Sequence, residues 1–103
     1  MDLVVALYEV TGNLSLEERF ALVQQMRRAA VAIPSNIAEG YYRRSTKEYV
    51  QFLSIAFASG AELETQIEIC KRLTKTRSVN YQSVDQLLEE VMKLLNVSIA
   101  KLR

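Results

Sequence analysis

The side chains that could do chemistry in this chain are cations and carboxylates, because the usual catalytic types are missing. No histidine occurs, which removes the commonest general base and metal ligand. The single cysteine, Cys70, falls on an apolar helical stripe and has no histidine to activate it. It therefore reads as a packed core thiol rather than a nucleophile. Glu39, Glu62, Glu64 and Glu68 are the carboxylates a helical scaffold could gather. Di-metal sites in helical bundles use Glu-x-x-His pairs, however, and this chain cannot supply one. It also lacks a glycine-rich phosphate loop and any zinc-ligand spacing. The sequence thus points to a non-enzyme with no cofactor and no metal.

The cations are clustered. Arg27 and Arg28 are adjacent. Arg43, Arg44 and Lys47 follow Tyr41 and Tyr42. Lys71, Arg72, Lys75 and Arg77 run together with no acid among them. Arginines interleaved with tyrosines can hold phosphates and stack on bases, which makes RNA or DNA the candidate partner. The alternative is a solvated helix end, with cations placed favourably near a helix C-terminus. At 1.5 Å per residue the last two clusters lie about 40 Å apart, at opposite ends of a helix. A ring of parallel subunits would turn either cluster into a basic rim. Overall charge gives no such hint, since thirteen Lys and Arg oppose twelve Asp and Glu.

The elements that must position these residues are helices. The chain has 103 residues, one proline and three glycines, so a single domain over 1–103 is expected. Leu3, Leu7, Val10 and Leu14 form a short first stripe that ends near Gly12-Asn13, and its abrupt start suggests a truncated helix. Ser15 and Glu18 form a capping box for the second helix. Its stripe runs through Leu22, Val23, Met26, Ala29, Ala30 and Ile33, and Ile37 keeps the same phase beyond Pro34. "AIPSNIAEG", residues 32–40, is therefore expected to continue that helix through a kink. Ser35 or Asn36 would help satisfy the backbone groups that the proline frees.

Ser45 and Glu48 form a second box. Tyr49, Leu53, Ala56, Gly60, Leu63, Ile67 and Cys70 then make a heptad seam. Gly60 in mid-helix points to a close neighbouring backbone. A last helix is expected from Ser83, boxed by Gln86, with Leu87, Val91, Leu95 and Leu102 inside, flanked by Leu88, Met92 and Ile99. Four such helices with short connections give an all-α, up-down-up-down four-helix bundle.

Two further expectations concern the surface and the polar interior. Val50, Ile55, Phe57, Ala61 and Ile69 lie off the seam, so the third helix is apolar over more than half its circumference. They are candidates for a homo-oligomer interface. Glu64, at the edge of the seam, needs a partner if it is buried. A polar layer of Glu64, Glu39 and one of Arg27, Arg28 or Arg43, with Asn36, would serve and would fix helix register. No apolar run approaches the roughly 20 residues of a membrane span. The start shows no signal-peptide pattern, and one cysteine fits a reducing cytoplasm.

The run "RRAAVAIPSNIAEG", followed by Arg43, Ser45, Lys47 and Glu48 in phase and then by "ELETQ", resembles the bacterial 23S rRNA intervening sequence proteins. The similarity is close from Glu18 to Ile69 and holds in outline elsewhere. It implies an all-α bundle assembled as a ring, typically a pentamer, with no established catalytic activity. It also implies kinship to accessory proteins of diversity-generating retroelements, and through them nucleic-acid binding. Against the family pattern, less chain precedes Leu3, Leu14-Ser15 replaces a Phe-Pro pair, and "LTKTRSVNY" replaces a Gly-Tyr-Leu turn. A purely structural module that binds another protein is the alternative reading.

Overall fold

The computed structural model describes residues 2–12, 20–73 and 79–103. Among them are four α-helices and no strand: α1, Asp2–Gly12; α2, Phe20–Tyr41; α3, Thr46–Leu73; and α4, Gln82–Leu102. Each helix packs on its chain neighbours, α1 also packs on α4, and the α2–α3 contact is the most extensive. This closes an antiparallel four-helix bundle about 47 Å long and 21 by 19 Å across. The Ser15–Glu18 box, Leu14, Lys75 and Arg77 lie outside the described residues.

The core follows the expected stripes on three helices. Leu3, Leu7 and Val10 of α1 are buried with Val23, Met26, Ala29, Ala30 and Ile33 of α2. Leu53, Ala56, Leu63, Ile67 and Cys70 of α3 complete the seam, while Tyr49 is half-buried against it. α2 is helical on both sides of Pro34, as the phase of Ile37 required. Pro34 has no amide to offer the Ala30 carbonyl. Two residues on, Asn36 Nδ2 donates to the Ala32 carbonyl at 2.8 Å, so the local side-chain bond falls on Ala32. The serine half of the α3 box is in place: the Glu48 amide donates to Ser45 Oγ at 3.1 Å, and the Tyr49 amide to the Ser45 carbonyl.

α4 departs from the reading of its sequence in two ways. It begins at Gln82, and Asn80 Oδ1 accepts from the Gln82 amide at 2.9 Å. An Asx-type turn therefore opens the helix before Ser83 can, and Ser83–Gln86 caps nothing. Its buried stripe is Val84, Leu88, Leu95 and Ile99. Leu87 and Val91 are half-buried beside it, and Leu102 is exposed. α4 packs on α3 and α1, and its buried stripe is rotated by roughly 45° from the expected one, with Leu95 common to both.

Close packing explains two glycines, although what Gly60 meets is a side chain and not the neighbouring backbone its sequence position suggests. A Cβ on Gly60 would stand 2.3 Å from Met92 Sδ, so α4 leans on α3 there. A Cβ on Gly40 would stand 2.7 Å from Phe52 Cβ and 3.0 Å from Tyr49 Cδ1, where the α2–α3 hairpin closes. α1 has 11 residues against 22, 28 and 21 in the other helices. Thr11 is level with Arg27, so antiparallel counting puts Leu3 near Ser35. Beyond that point an apolar groove of about 180 Å³ opens between Ile37, Tyr49, Leu53, Val91 and Leu94.

Candidate nucleic-acid interface

The connection between α2 and α3 carries the densest group of exposed cations and rings. Gly40 draws the end of α2 against Phe52, and the Arg43 amide donates to the Gly40 carbonyl at 3.0 Å. Arg43 itself folds back. Its guanidinium Nη2 lies 2.6 Å from Glu39 Oε1, and its Cζ stands 4.8 Å from the centre of the Phe52 ring. These contacts use Arg43 to hold the turn. Arg44 and Lys47 are exposed and have no ion-pair partner among the described residues. Tyr41 and Tyr42 meet edge to face, with ring centres 5.5 Å apart. They are 70% and 82% exposed.

The fold adds cations that sequence clustering missed. The last turn of α4 reaches this same end of the bundle, where Leu102 and Arg103 border a surface depression with Lys47 and Thr46. Lys101 lies in that last turn. The end therefore gathers Arg43, Arg44, Lys47, Lys101 and Arg103 against Glu39 and Glu48. The signal was available in the up-down-up-down order, which must bring the end of the fourth helix beside the turn between the second and third.

The remaining predicted cations behave differently. Arg27 Nε donates to Thr11 Oγ1 at 3.0 Å, and its Cζ lies 4.4 Å from the centre of the Tyr8 ring. Arg27 is thus a clasp between α1 and α2, while Arg28 is exposed. Lys71 lies 2.6 Å from Asp85 Oδ2 and 3.5 Å from Glu68 Oε1. The hydrogen bond to Asp85, aided by attraction to Asp85 and Glu68, holds its pKa above the usual lysine range despite some desolvation. Arg72 next to it is exposed. At this opposite end carboxylates answer the lysine.

Glu64, Glu39, Asn36 and an arginine do not meet in one layer. Glu39 pairs with Arg43 on the surface, and Asn36 bonds within α2. Glu64 is exposed, twelve residues past Phe52 and so about 18 Å along α3. There it borders an open cleft with Glu68, Lys71, Asp85 and Glu89. The register-fixing role assumed Glu64 was buried; it borders the open cleft beside α4 instead. The polar side chain that α3 does bury is Gln66, 7% exposed. Its Nε2 donates to Glu62 Oε1 at 3.1 Å, and its Oε1 has no partner.

Of the proposed interface residues, Val50 and Phe57 are half-buried against the core. Ala61 is exposed, and Ile55 and Ile69 are 48% and 45% exposed. The buried Cys70 thiol receives the Tyr81 hydroxyl at 3.4 Å. Among the described residues, no group of three or more metal-ligating side chains is placed to hold an ion. None of the described helices is long and apolar enough to cross a membrane.

This is an all-α four-helix bundle whose conspicuous surface feature is a basic, tyrosine-bearing end. Residues 1–97 match the family model of the 23S rRNA-intervening sequence protein, and the chain belongs to that family. No curated protein matches it.

Proposed function

We propose that this bundle is a non-catalytic, homo-oligomeric protein that binds RNA or DNA through the end formed by the α2–α3 turn and the last turn of α4. The observation that carries the reading is the excess of cations there, with Arg44 and Lys47 exposed and unpaired. Phosphates are the complement of such a surface. Four cations, Arg44, Lys47, Lys101 and Arg103, displacing counterions from a duplex would give a salt slope of about −3.6. Lys71 contributes less, because Asp85 and Glu68 already neutralise it. Self-association is supported by the exposed Ile55 and Ile69, which share one side of α3, and the family resemblance favours a pentameric ring. Copies arranged in parallel would repeat the basic end around one rim.

Fluorescence anisotropy with labelled ribosomal RNA fragments and duplex DNA, titrated over salt, tests the nucleic-acid reading. Binding at low salt that weakens steeply with added salt is the expected result; no binding to either at low salt overturns it. Light scattering tests assembly, and a mass of 11.7 kDa at high micromolar concentration overturns it.

A further inference from the structure

We propose that the ligand of this end is a single-stranded polynucleotide, gripped by base stacking on Tyr41 and Tyr42 and by phosphate contacts to Arg44 and Lys47. The inference rests on the nucleic-acid reading above and narrows it. Two tyrosines in succession are left almost wholly in solvent, where an apolar ring gains nothing from burial. Their edge-to-face contact and the two rotatable angles of a tyrosine limit the side-chain freedom lost on binding. The base of the platform is equally constrained: Gly40 is pressed against Phe52, and Arg43 is tied to Glu39 and stacked on Phe52. Arg43 is therefore a positioning residue, and the free cations beside the rings are the ones that reach phosphate.

Stacking needs an open base face. In a duplex those faces are buried against neighbouring pairs, and a protein meets only base edges and phosphates. In a single strand they are open, and ring–base stacking is tolerant of sequence because every base has a π face. The bundle end is only about 20 Å across, which limits one subunit to a short stretch of strand.

The test compares three labelled probes of equal length by anisotropy at low salt: oligothymidylate, an abasic strand with the same phosphates, and a DNA duplex. Oligouridylate is run beside them to see whether the sugar matters. The expected result is binding of the single strand about tenfold or more tighter than of the abasic strand. Tyr41→Leu with Tyr42→Leu should remove that margin and leave abasic binding unchanged, while Tyr41→Phe with Tyr42→Phe should keep it. Arg44→Gln with Lys47→Gln should weaken all probes. Equal affinity of the wild-type protein for abasic and normal strands overturns the stacking proposal, as does a leucine variant that keeps the margin. In either case salt-dependent binding would leave the broader nucleic-acid reading standing. Absence of binding to every probe removes both. The abasic comparison uses the unmodified protein, so the test survives a variant that folds poorly.

Discussion

Gly40 and Gly60 are both buried helical glycines, yet alanine should behave oppositely at the two. Replacing a mid-helix glycine by alanine gains roughly 1 kcal/mol, largely by restricting the unfolded chain. Against this stands the space each Cβ would need. At Gly60 the obstacle is Met92 Sδ at 2.3 Å, part of an unbranched side chain with three rotatable bonds. Met92 is only half-buried, so it can swing aside at a cost of about 1 kcal/mol. The two effects nearly cancel, and Gly60→Ala should stay within about 1 kcal/mol of the parent. At Gly40 the obstacle is Phe52 Cβ at 2.7 Å, with the Tyr49 carbonyl at 3.4 Å behind it. A Cβ is fixed to its own backbone, so relief requires α2 and α3 to part by about 1 Å, from a gap of 2.7 Å towards ordinary contact near 3.7 Å. Overpacking of that kind costs about 3 kcal/mol, leaving a net loss of about 2 kcal/mol. For a chain of this size that lowers Tm by roughly 10 °C. Urea unfolding followed by far-UV circular dichroism, at one protein concentration, measures both. The reasoning fails if Gly40→Ala is as stable as Gly60→Ala. It also fails if Gly60→Ala loses about 2 kcal/mol and adding Met92→Ala recovers none of it.

Three further expectations follow from named contacts. Arg27→Ala removes the bond to Thr11 and the stack on Tyr8, and should cost about 1–2 kcal/mol; hydrogen exchange should rise in α1 before it rises in α3. Gln66→Leu replaces a buried, unpartnered carbonyl with apolar atoms and should stabilise by about 1 kcal/mol in urea unfolding; a loss of that size would refute the reading of Oε1. Lys71→Met should cost only about 0.5 kcal/mol at neutral pH. Because Lys71 has a raised pKa in the folded state, its contribution is complete below the usual lysine pKa of about 10.4 and fades as pH climbs through the raised value. With Asp85 and Glu68 ionised, the parent should therefore lose its advantage over Lys71→Met as pH climbs past that raised value, and a gap that persists there would contradict this.

Helix periodicity revealed the stripes of α1, α2 and α3 because each of those helices is buried by neighbours on adjacent sides, and a 3.6-residue repeat encodes just that. It also carried α2 through Pro34, since Ile37 kept phase where a broken helix would have lost it. α4 was misread because apolar residues occupy both the 87/91 and the 84/88 rows of the helix, so periodicity alone left more than one inner face open. Its start was misread because Asn80 takes the Gln82 amide and the Tyr81 carbonyl takes the Asp85 amide, so the helix is already under way at Ser83. The polar layer failed for a related reason. Residue type says that Glu64 would need a partner if covered; only the packed structure says that it faces an open cleft. Gln66 went unnoticed because an isolated glutamine beside a seam carries no periodic signal. At the candidate site, the tyrosines and the arginines at 43 and 44 were legible as a cluster. The diversion of Arg43 to Glu39 and Phe52, and the arrival of Lys101 and Arg103, required three dimensions.

The dominance of the α2–α3 contact has a consequence for the order in which the molecule assembles. These two helices are joined by only four residues, 42–45, so bringing them together closes a short loop at little entropic cost. Contacts of that kind form early, and folding rates rise with their share. The hairpin is thus the natural folding nucleus, with α4 and the short α1 docking onto it afterwards. The turn bearing Tyr41, Tyr42, Arg43 and Arg44 belongs to that nucleus, and would take its shape before the rest of the bundle is in place and keep it when α1 opens.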